Sequence, residues 1–241
     1  MNIIETKNLT FSYKKQVVLS DLSLQVPQES IYGYLGANGS GKTTTIRLLL
    51  GLLDTTKAVF VCNHDMRIAQ EKIAAYEHIG SLVSPIFMYD HLTVQEHFEM
   101  LRIAYNKTTI EVEQTLAKIG ISEYTNKKVK YLSSGNRQRL AIGFAIFNNP
   151  QILILDEPIN GLDPVGIYDM RELFLALNKQ GMTIFFSSHI LSEVEKICTD
   201  IGILHEGKLL YQGKLDALLA DDSNHSLENV YLKLIKNDQL I

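Results

Sequence analysis

The sequence has few of the features that mark secreted, membrane-spanning or nucleic-acid-binding proteins. Its two cysteines, Cys62 and Cys198, are too few for a disulfide framework, so we expect two small core residues in a reducing compartment. No apolar stretch approaches the ~20 residues of a membrane span, and no basic region followed by an apolar run opens the chain. The formal net charge of -4 does not favour binding to nucleic acid. Together these absences predict a soluble, cytoplasmic protein with no nucleic-acid partner.

The hydrophobic pattern in the first part of the chain predicts strands followed by a helix. With 241 residues, 46% of them hydrophobic, the chain can bury one large core or two small ones. Alternation of apolar and polar residues predicts strands at 3–9 and 17–26, in an antiparallel sheet. A short apolar strand at 31–35 is followed by a glycine-rich turn and by a helix at 43–50.

Further along, the chain first becomes helical and then alternates strands with helices. Apolar residues spaced three and four apart predict a helical segment at about 93–131. Ser133 is the expected N-cap of the next helix, which continues to Phe147. We then predict strands at 152–155 and 183–186, helices at 165–179 and 190–198, and a hairpin of 201–204 with 208–211. This alternation predicts an α/β fold in which helices cover both faces of a mainly parallel sheet.

Residues 36–43, with the sequence GANGSGKT, match the phosphate-binding pattern G-x-x-x-x-G-K-[ST]. The glycines allow a tight turn that aims backbone N–H groups at phosphate oxygens. The following helix directs its positive N-terminal end at the same anion. Lys42 is expected at the β- and γ-phosphates, and the Thr43 hydroxyl is a candidate ligand of Mg²⁺.

Two carboxylates, Asp156 and Glu157, follow the buried strand predicted at 152–155. As in P-loop NTPases, Asp156 is assigned to Mg²⁺, directly or through water. Glu157 lies one step beyond the strand, where it can act as the general base for an attacking water. Many buried strands end in solvated acids, so the pair is informative only beside a phosphate-binding loop. Together with the phosphate-binding loop at 36–43, the acid pair predicts an ATP-hydrolysing site.

The sequence LSSGNRQR at 132–139 resembles the L-S-G-G-Q signature of ATP-binding-cassette (ABC) proteins, the ATPase subunits of ABC transporters. Two further motifs follow in the family's order. NGLDP at 160–164 resembles the D-loop, and Ser187-Ser188-His189 resembles the switch that contacts the γ-phosphate through its histidine. Tyr13 matches the aromatic position that stacks on adenine, with Phe11 as a neighbouring alternative.

The resemblance covers about residues 2–213 and implies the P-loop NTPase fold of ABC ATPases, with an N-terminal antiparallel β subdomain. It implies an ABC ATPase domain at 1–215, a helical subdomain inserted at about 86–148, and a helical tail at 216–241. It assigns catalysis to Glu157, His189 and Lys42, metal binding to Thr43 and Asp156, and nucleotide binding to Tyr13, Gly36, Asn38, Gly39, Ser40, Gly41, Lys42, Thr43, Thr44, Ser133 and Gly135.

The implied function is that of an ATP-binding and ATP-hydrolysing transporter subunit, with ATP and Mg²⁺ as cofactors. Two such subunits, expected to be a homodimer, close on ATP so that the signature of one completes the site of the other. They power a separate transmembrane permease, to which they attach at the inner face of the membrane. Residues 187–193 and the tail at 227–232 resemble exporters of the bacitracin-resistance and lantibiotic-immunity kind. The substrate, the direction of transport and the identity of the second subunit stay open.

Three residues depart from the family pattern. Ser84 stands where the Q-loop usually has glutamine, so direct contact with Mg²⁺ is doubtful, although a bridging water can substitute. Ser134 and Asn136 replace the second glycine and the glutamine of the signature. These departures keep a second hypothesis open, a nucleotide-sensing module that dimerises on ATP but hardly hydrolyses it. The presence of Glu157 and His189 favours the hydrolase.

Overall fold

The computed structural model describes residues 1–83, 85–220 and 226–238, so Ser84 of the Q-loop lies outside the described residues. The strands are β1 (Asn2–Thr6), β2 (Leu9–Tyr13), β3 (Gln16–Leu22), β4 (Gln25–Pro27), β5 (Ile31–Leu35), β6 (Val59–Val61), β7 (His64–Asp65), β8 (Ile79–Leu82), β9 (Ile152–Leu155), β10 (Thr183–Ser188), β11 (Asp200–His205) and β12 (Lys208–Lys214). The α-helices are α1 (Lys42–Leu49), α2 (Ala69–Tyr76), α3 (Val94–Ala104), α4 (Thr109–Lys118), α5 (Ser134–Ile146), α6 (Pro164–Asn178), α7 (Leu191–Ile197), α8 (Leu215–Ala220) and α9 (Leu227–Asp238).

The central sheet has six strands in the order β12-β11-β5-β10-β9-β8. All neighbours in it are parallel except β12, which joins the edge antiparallel to β11. Every residue of β5 and β9 is buried, because the sheet is covered on both faces. The mainly parallel sheet and these two strands are therefore confirmed.

The N-terminal strands are antiparallel, as predicted, but their boundaries differ from the prediction. The strand expected at 3–9 ends at Thr6, and Asn8 takes a left-handed φ of 48° before the chain enters β2. The strand expected at 17–26 is divided into β3 and β4. As a result β2 pairs with β3, whereas β1 lies between β4 and β6 in a separate sheet. Asparagine tolerates the left-handed conformation, and apolar–polar alternation carries no signal for such a break.

The segment predicted to be helical contains α3 and α4, followed by two short 3₁₀ turns. Both helices begin with a capping box, in which a threonine and a glutamate satisfy each other's backbone N–H groups. Ser133 is the N-cap of α5, as predicted, and its hydroxyl accepts the N–H of Asn136 at 3.3 Å. The helical prediction for this part of the chain is thus confirmed.

The capping box of α4 leads to a stability prediction. The Thr108 hydroxyl accepts the N–H of Glu111, and the Glu111 carboxylate accepts the N–H of Thr108 at 2.7 Å. Thr108→Ala is expected to lower the free energy of unfolding by about 1 kcal/mol, because one orphan N–H of the helix loses its acceptor. Urea unfolding measures this loss. Thr109→Ala, on the exposed neighbour inside the helix, is the matched control and should leave stability nearly unchanged.

The core lies on both faces of the central sheet. Side chains of α3 to α9 pack on one face, and the N-terminal sheets with α1 cover the other. Cys62 and Cys198 are free and buried, one in each layer, which confirms that they are core residues. Burial raises the pKa of the Cys62 thiol to about 11 and also raises that of Cys198, so both stay protonated.

The C-terminal tail contains α8 and α9, with residues 221–225 and 239–241 outside the described residues. Helix α9 packs against α7, α8 and β12. Leu227 is fully buried, and its N–H donates to the Glu195 carboxylate at 3.2 Å. Helix α9 is therefore fixed to the core. Across the described residues, no helix combines the length and the hydrophobicity needed to cross a bilayer.

Candidate nucleotide-binding site

Three neighbouring strands of the central sheet end at the same edge and carry most of the predicted site. Strand β5 runs into the phosphate-binding loop (residues 36–43), β9 into Asp156 and Glu157, and β10 into His189. The carboxyl ends of these strands meet because the three are parallel and adjacent in the order β5-β10-β9. The topology thus brings together segments that are far apart in the sequence.

The glycines of the phosphate-binding loop are required for different reasons. Gly39 and Gly41 have φ angles of 82° and 112°, a region that residues with a side chain rarely adopt. At Gly36 a Cβ would lie 2.6 Å from the carbonyl oxygen of Leu204 and would collide with the Ser40 hydroxyl. The first glycine therefore serves close packing, and the other two serve the turn.

Lys42 is buried, with 6% of its side chain exposed, and its partners belong to the site. Its Nζ donates to the carbonyl oxygens of Gly36 and Ala37 at 2.8 and 3.2 Å, and lies 3.2 Å from Oε1 of Glu157. These contacts compensate the ammonium for its lost hydration. They fix a positive charge inside the loop, where an anionic ligand gains most from it.

Asp156 is held by two hydroxyl groups. Thr43 Oγ1 donates to Oδ2 of Asp156 at 2.9 Å, and Ser187 Oγ donates to Oδ1 at 2.8 Å. The same Ser187 oxygen accepts the N–H of Glu157 at 2.9 Å. Ser187 is fully buried and joins the two carboxylate residues, a role that the sequence analysis did not assign to it. Its place at the end of the strand before His189 was the only available signal.

Glu157 connects Lys42 with His189. Its Oε2 lies 2.9 Å from Nδ1 of His189, while its Oε1 faces Lys42. Its backbone φ is 50°, a left-handed conformation that costs a residue with a side chain about 1–2 kcal/mol. A strained backbone conformation persists at functional sites when surrounding contacts stabilise it. In this protein the contacts of Glu157 with Lys42, His189 and Ser187 stabilise the strained conformation.

A cleft of about 220 Å³ opens at this edge of the sheet. It is lined by Val18, Asn38, Gly39, Gly41, Lys42, Thr43, Thr44, Glu157 and Asn160. Of these, Val18 on β3 and Asn160 of the D-loop were not predicted as site residues. Asp156 and His189 are joined to the lining through Thr43 and Glu157. The structure brings these predicted residues together, and their individual roles stay predictions.

Tyr13 stands apart from this cleft, at the end of β2, and is not among the described residues that line it. Its side chain is 41% exposed, and its ring meets Phe11 edge-on with 5.0 Å between ring centroids. Phe11 is partly buried and packs against the core. The greater exposure of Tyr13 favours it over Phe11 as the ring that stacks on adenine.

The signature residues also stand apart from the cleft. Ser133 is exposed, and a Cβ added at Gly135 would meet nothing within 4 Å, so the first turn of α5 is open at the surface. Within the D-loop, the Asp163 side chain accepts the N–H of Gly166 at 2.7 Å and caps α6. Backbone N–H groups at a helix N-terminus bind anions. The start of α5 is thus a candidate for a second anion-binding surface.

Comparison with known proteins identifies the family. A family model described as ABC transporter matches residues 19–160, more than half of the chain. The chain belongs to the ABC transporter family. This ABC ATPase is 42% identical over 218 residues to the bacitracin transport ATP-binding protein BcrA of Bacillus licheniformis, covering 90% of this chain and 71% of that protein. It is 33% identical over 220 residues to the lantibiotic transport ATP-binding protein SrtF of Streptococcus pyogenes, covering 89% and 92%.

A solved structure described as the ATP-binding subunit of an ABC transporter has the same fold. It matches with a TM-score of 0.84 at 28% identity, covering 97% of this chain and 99% of that one. The predicted α/β ABC ATPase fold is confirmed. The chain is an ATP-binding and ATP-hydrolysing transporter subunit, so the nucleotide-sensing module is the weaker hypothesis.

Proposed function

We propose that two copies of this ABC ATPase close head to tail on two Mg²⁺–ATP and drive a separate permease that exports cargo of the peptide or antibiotic type. The main observation in favour of a dimer is that the first turn of α5 is exposed at the surface. Ser133 and Gly135, to which we assign the binding of an anion, are not among the described residues that line the cleft of their own chain. A second copy can present this surface to the triphosphate held by Lys42.

Within one copy, each group of the network has a proposed role. Lys42 holds the β- and γ-phosphates, and Glu157 accepts a proton from the attacking water. His189, in contact with Glu157, orients the γ-phosphate, and Tyr13 stacks on the adenine. Phosphoryl transfer has a loose transition state and depends mainly on positioning and electrostatic stabilisation. Charged groups already fixed by mutual contacts meet this requirement.

The residues assigned to the metal fit Mg²⁺. The Thr43 hydroxyl and the Asp156 carboxylate lie 2.9 Å apart and supply hard oxygen donors. In the described part of the chain, no group of three or more His, Cys, Asp or Glu converges on a metal site. Mg²⁺ commonly takes only one or two protein groups and completes its shell with phosphates and water. When bound, the ion neutralises phosphate charge, and Ser187 keeps Asp156 in position.

Support for a protein partner comes from exposed apolar residues near the start of the helical subdomain that we propose at about 86–148. Phe87 is 88% exposed, and with Ile86 it borders a cleft of about 360 Å³ that reaches Arg137 on α5. Exposed apolar surface of this kind marks protein interaction sites. We assign it to the permease, at the inner face of the membrane. Contact with α5 would link the permease to the helix that carries the signature.

Mixing two inactive variants tests the composite site. Lys42→Ala removes the ammonium from one half of the site. Gly135→Asp places a carboxylate on the other half, in open space that the fold tolerates. Each variant alone is expected to hydrolyse Mg²⁺–ATP at background rate. An equal mixture is expected to regain up to about a quarter of wild-type turnover, because half of the dimers are mixed and each of these has one intact site.

The control mixture combines Lys42→Ala with Glu157→Gln, which damage the same half of the site. It should regain nothing, because every composite site in it carries one of the two lesions. Turnover of the wild type should also rise more steeply than linearly with protein concentration. If the mixture of Lys42→Ala and Gly135→Asp were no more active than its components, the signature would not act on the site of a partner.

A further inference from the structure

Helix α5 carries the signature in its first turn and is anchored to the sheet near its other end. Leu140, Ile142 and Ile146 of α5 are buried, and the helix packs against β8. The two backbones approach so closely that a Cβ at Gly80 of β8 would lie 2.2 Å from the carbonyl oxygen of Ala145. The first turn is open at the surface, so its direction depends on the contacts that α5 makes between its two ends.

Arg139 lies between these two ends and contacts two other helices. Its Nη1 donates to the carbonyl oxygen of Ile119 at the C-terminal end of α4 at 2.9 Å. Its Nη2 lies 2.7 Å from Oδ2 of Asp169 on α6. Carbonyl oxygens at a helix C-terminus carry partial negative charge and favour a cation. Because the guanidinium is a planar, rigid fork, the two contacts together restrict the orientation of α5.

The contact with Asp169 connects α5 to the helix that follows the D-loop. Met170, next to Asp169, is buried in the same core layer as the apolar side of α5, so α6 provides a firm support. A second ion pair of α5 joins Arg137 to Asp90, but those side chains are 38% and 62% exposed, and exposed pairs contribute little. The Arg139 side chain is 17% exposed. Arg139 is therefore the better fixed of the two arginines.

We propose that Arg139 is a positioning residue of the composite ATP site: by joining α5 to α4 and α6, it directs the signature of its own chain toward the nucleotide held by a second copy. The inference rests on the proposed head-to-tail dimer. Arg139 is not among the described residues that line the cleft of its own chain. Its loss should therefore leave ATP binding by that chain intact and should impair hydrolysis in the site of the other copy.

Arg139→Gln removes the charge and the rigid fork and retains a good helix former. We expect kcat of the Mg²⁺–ATPase to fall about ten- to hundredfold, because a misplacement of ~1 Å around a reacting centre can cost about 10²-fold. The dissociation constant for ATP in EDTA should stay unchanged. Arg102→Gln is the matched control, since Arg102 also contacts a carboxylate and a backbone carbonyl, those of Glu99 and Lys107, away from the signature. It should hydrolyse ATP at the wild-type rate.

Mixing variants tests whether Arg139 acts on the site of the other copy. Arg139→Gln mixed equally with Lys42→Ala should reach up to about a quarter of wild-type turnover, more than Arg139→Gln alone at the same total concentration. The reason is that each mixed dimer has one site with an intact Lys42 and an intact signature helix. A mixture with Gly135→Asp, which damages the same half, should be less active than Arg139→Gln alone. An unfolded chain could not supply the Lys42 half, so recovery separates positioning from loss of fold.

Wild-type kcat in Arg139→Gln would overturn the inference. No recovery with Lys42→Ala, or equal recovery with Gly135→Asp, would also overturn it. The mixture of Lys42→Ala with Gly135→Asp separates the inference from the proposed function. If that mixture recovers turnover and the mixture of Arg139→Gln with Lys42→Ala does not, only the role of Arg139 is refuted. If neither recovers, the composite site is refuted as well.

Discussion

Glu157→Gln is expected to lower Mg²⁺–ATP turnover by about 10²- to 10⁴-fold, the usual contribution of a general base. The amide has nearly the same shape as the carboxylate but cannot accept the proton of the attacking water. It can still contact Lys42 and His189, which now lie 3.2 and 2.9 Å from the two carboxylate oxygens. Phosphate release at a fixed protein concentration measures the effect, and ATP binding should be retained.

The matched control is Glu172→Gln, which makes the same change on an exposed residue of α6. It should turn over ATP at the wild-type rate. Wild-type turnover by Glu157→Gln would show that Glu157 is not the base. Its left-handed backbone and its contacts with Lys42 and His189 would then serve only to hold the loop in place.

Lys42→Ala is expected to weaken ATP binding about 30-fold or more, because truncating one member of a buried, hydrogen-bonded charge pair costs about 2–5 kcal/mol. The side chain is 6% exposed and supplies a cationic group inside the loop. Without it, the Glu157 carboxylate also faces the phosphates uncompensated by an ammonium. Titration with ATP in EDTA separates this loss of binding from any loss of hydrolysis.

Lys118→Ala, on an exposed lysine in the last turn of α4, is the control for the general loss of positive charge. It should bind ATP as the wild type does. If Lys42→Ala bound ATP with wild-type affinity, the loop would hold the nucleotide through its backbone N–H groups alone. The proposed role of Lys42 would then be wrong.

Much of the central fold could be predicted because its signals are local. The run at 152–155 is apolar throughout, since β9 is buried on both faces of the sheet. Ser133 was predicted as a cap because its hydroxyl acts on N–H groups only a few residues away. The N-terminal strands were predicted less well. Their boundaries depend on left-handed residues such as Asn8 and on pairing with β6, which is distant in the sequence.

In the candidate site too, features that depend on consecutive residues could be predicted, and contacts between distant residues could not. The spacing of Gly36, Gly39 and Gly41 before Lys42 predicted the loop, because its geometry depends on consecutive residues. The order of motifs led to the ABC family, and the family was confirmed. No pattern along the chain connects Ser187 with both Asp156 and Glu157. That connection arises because β10 lies beside β9 in the sheet.

By itself, the sequence determined the chemistry of this protein: a loop for phosphates, an acid pair after a buried strand, and a signature at a helix start. Only the tertiary structure decided which groups hold that chemistry in place. It set Glu157 between Lys42 and His189, and it joined Ser187 to both Asp156 and Glu157. Strand order and helix packing create such contacts between distant residues, and no pattern along the chain encodes them locally.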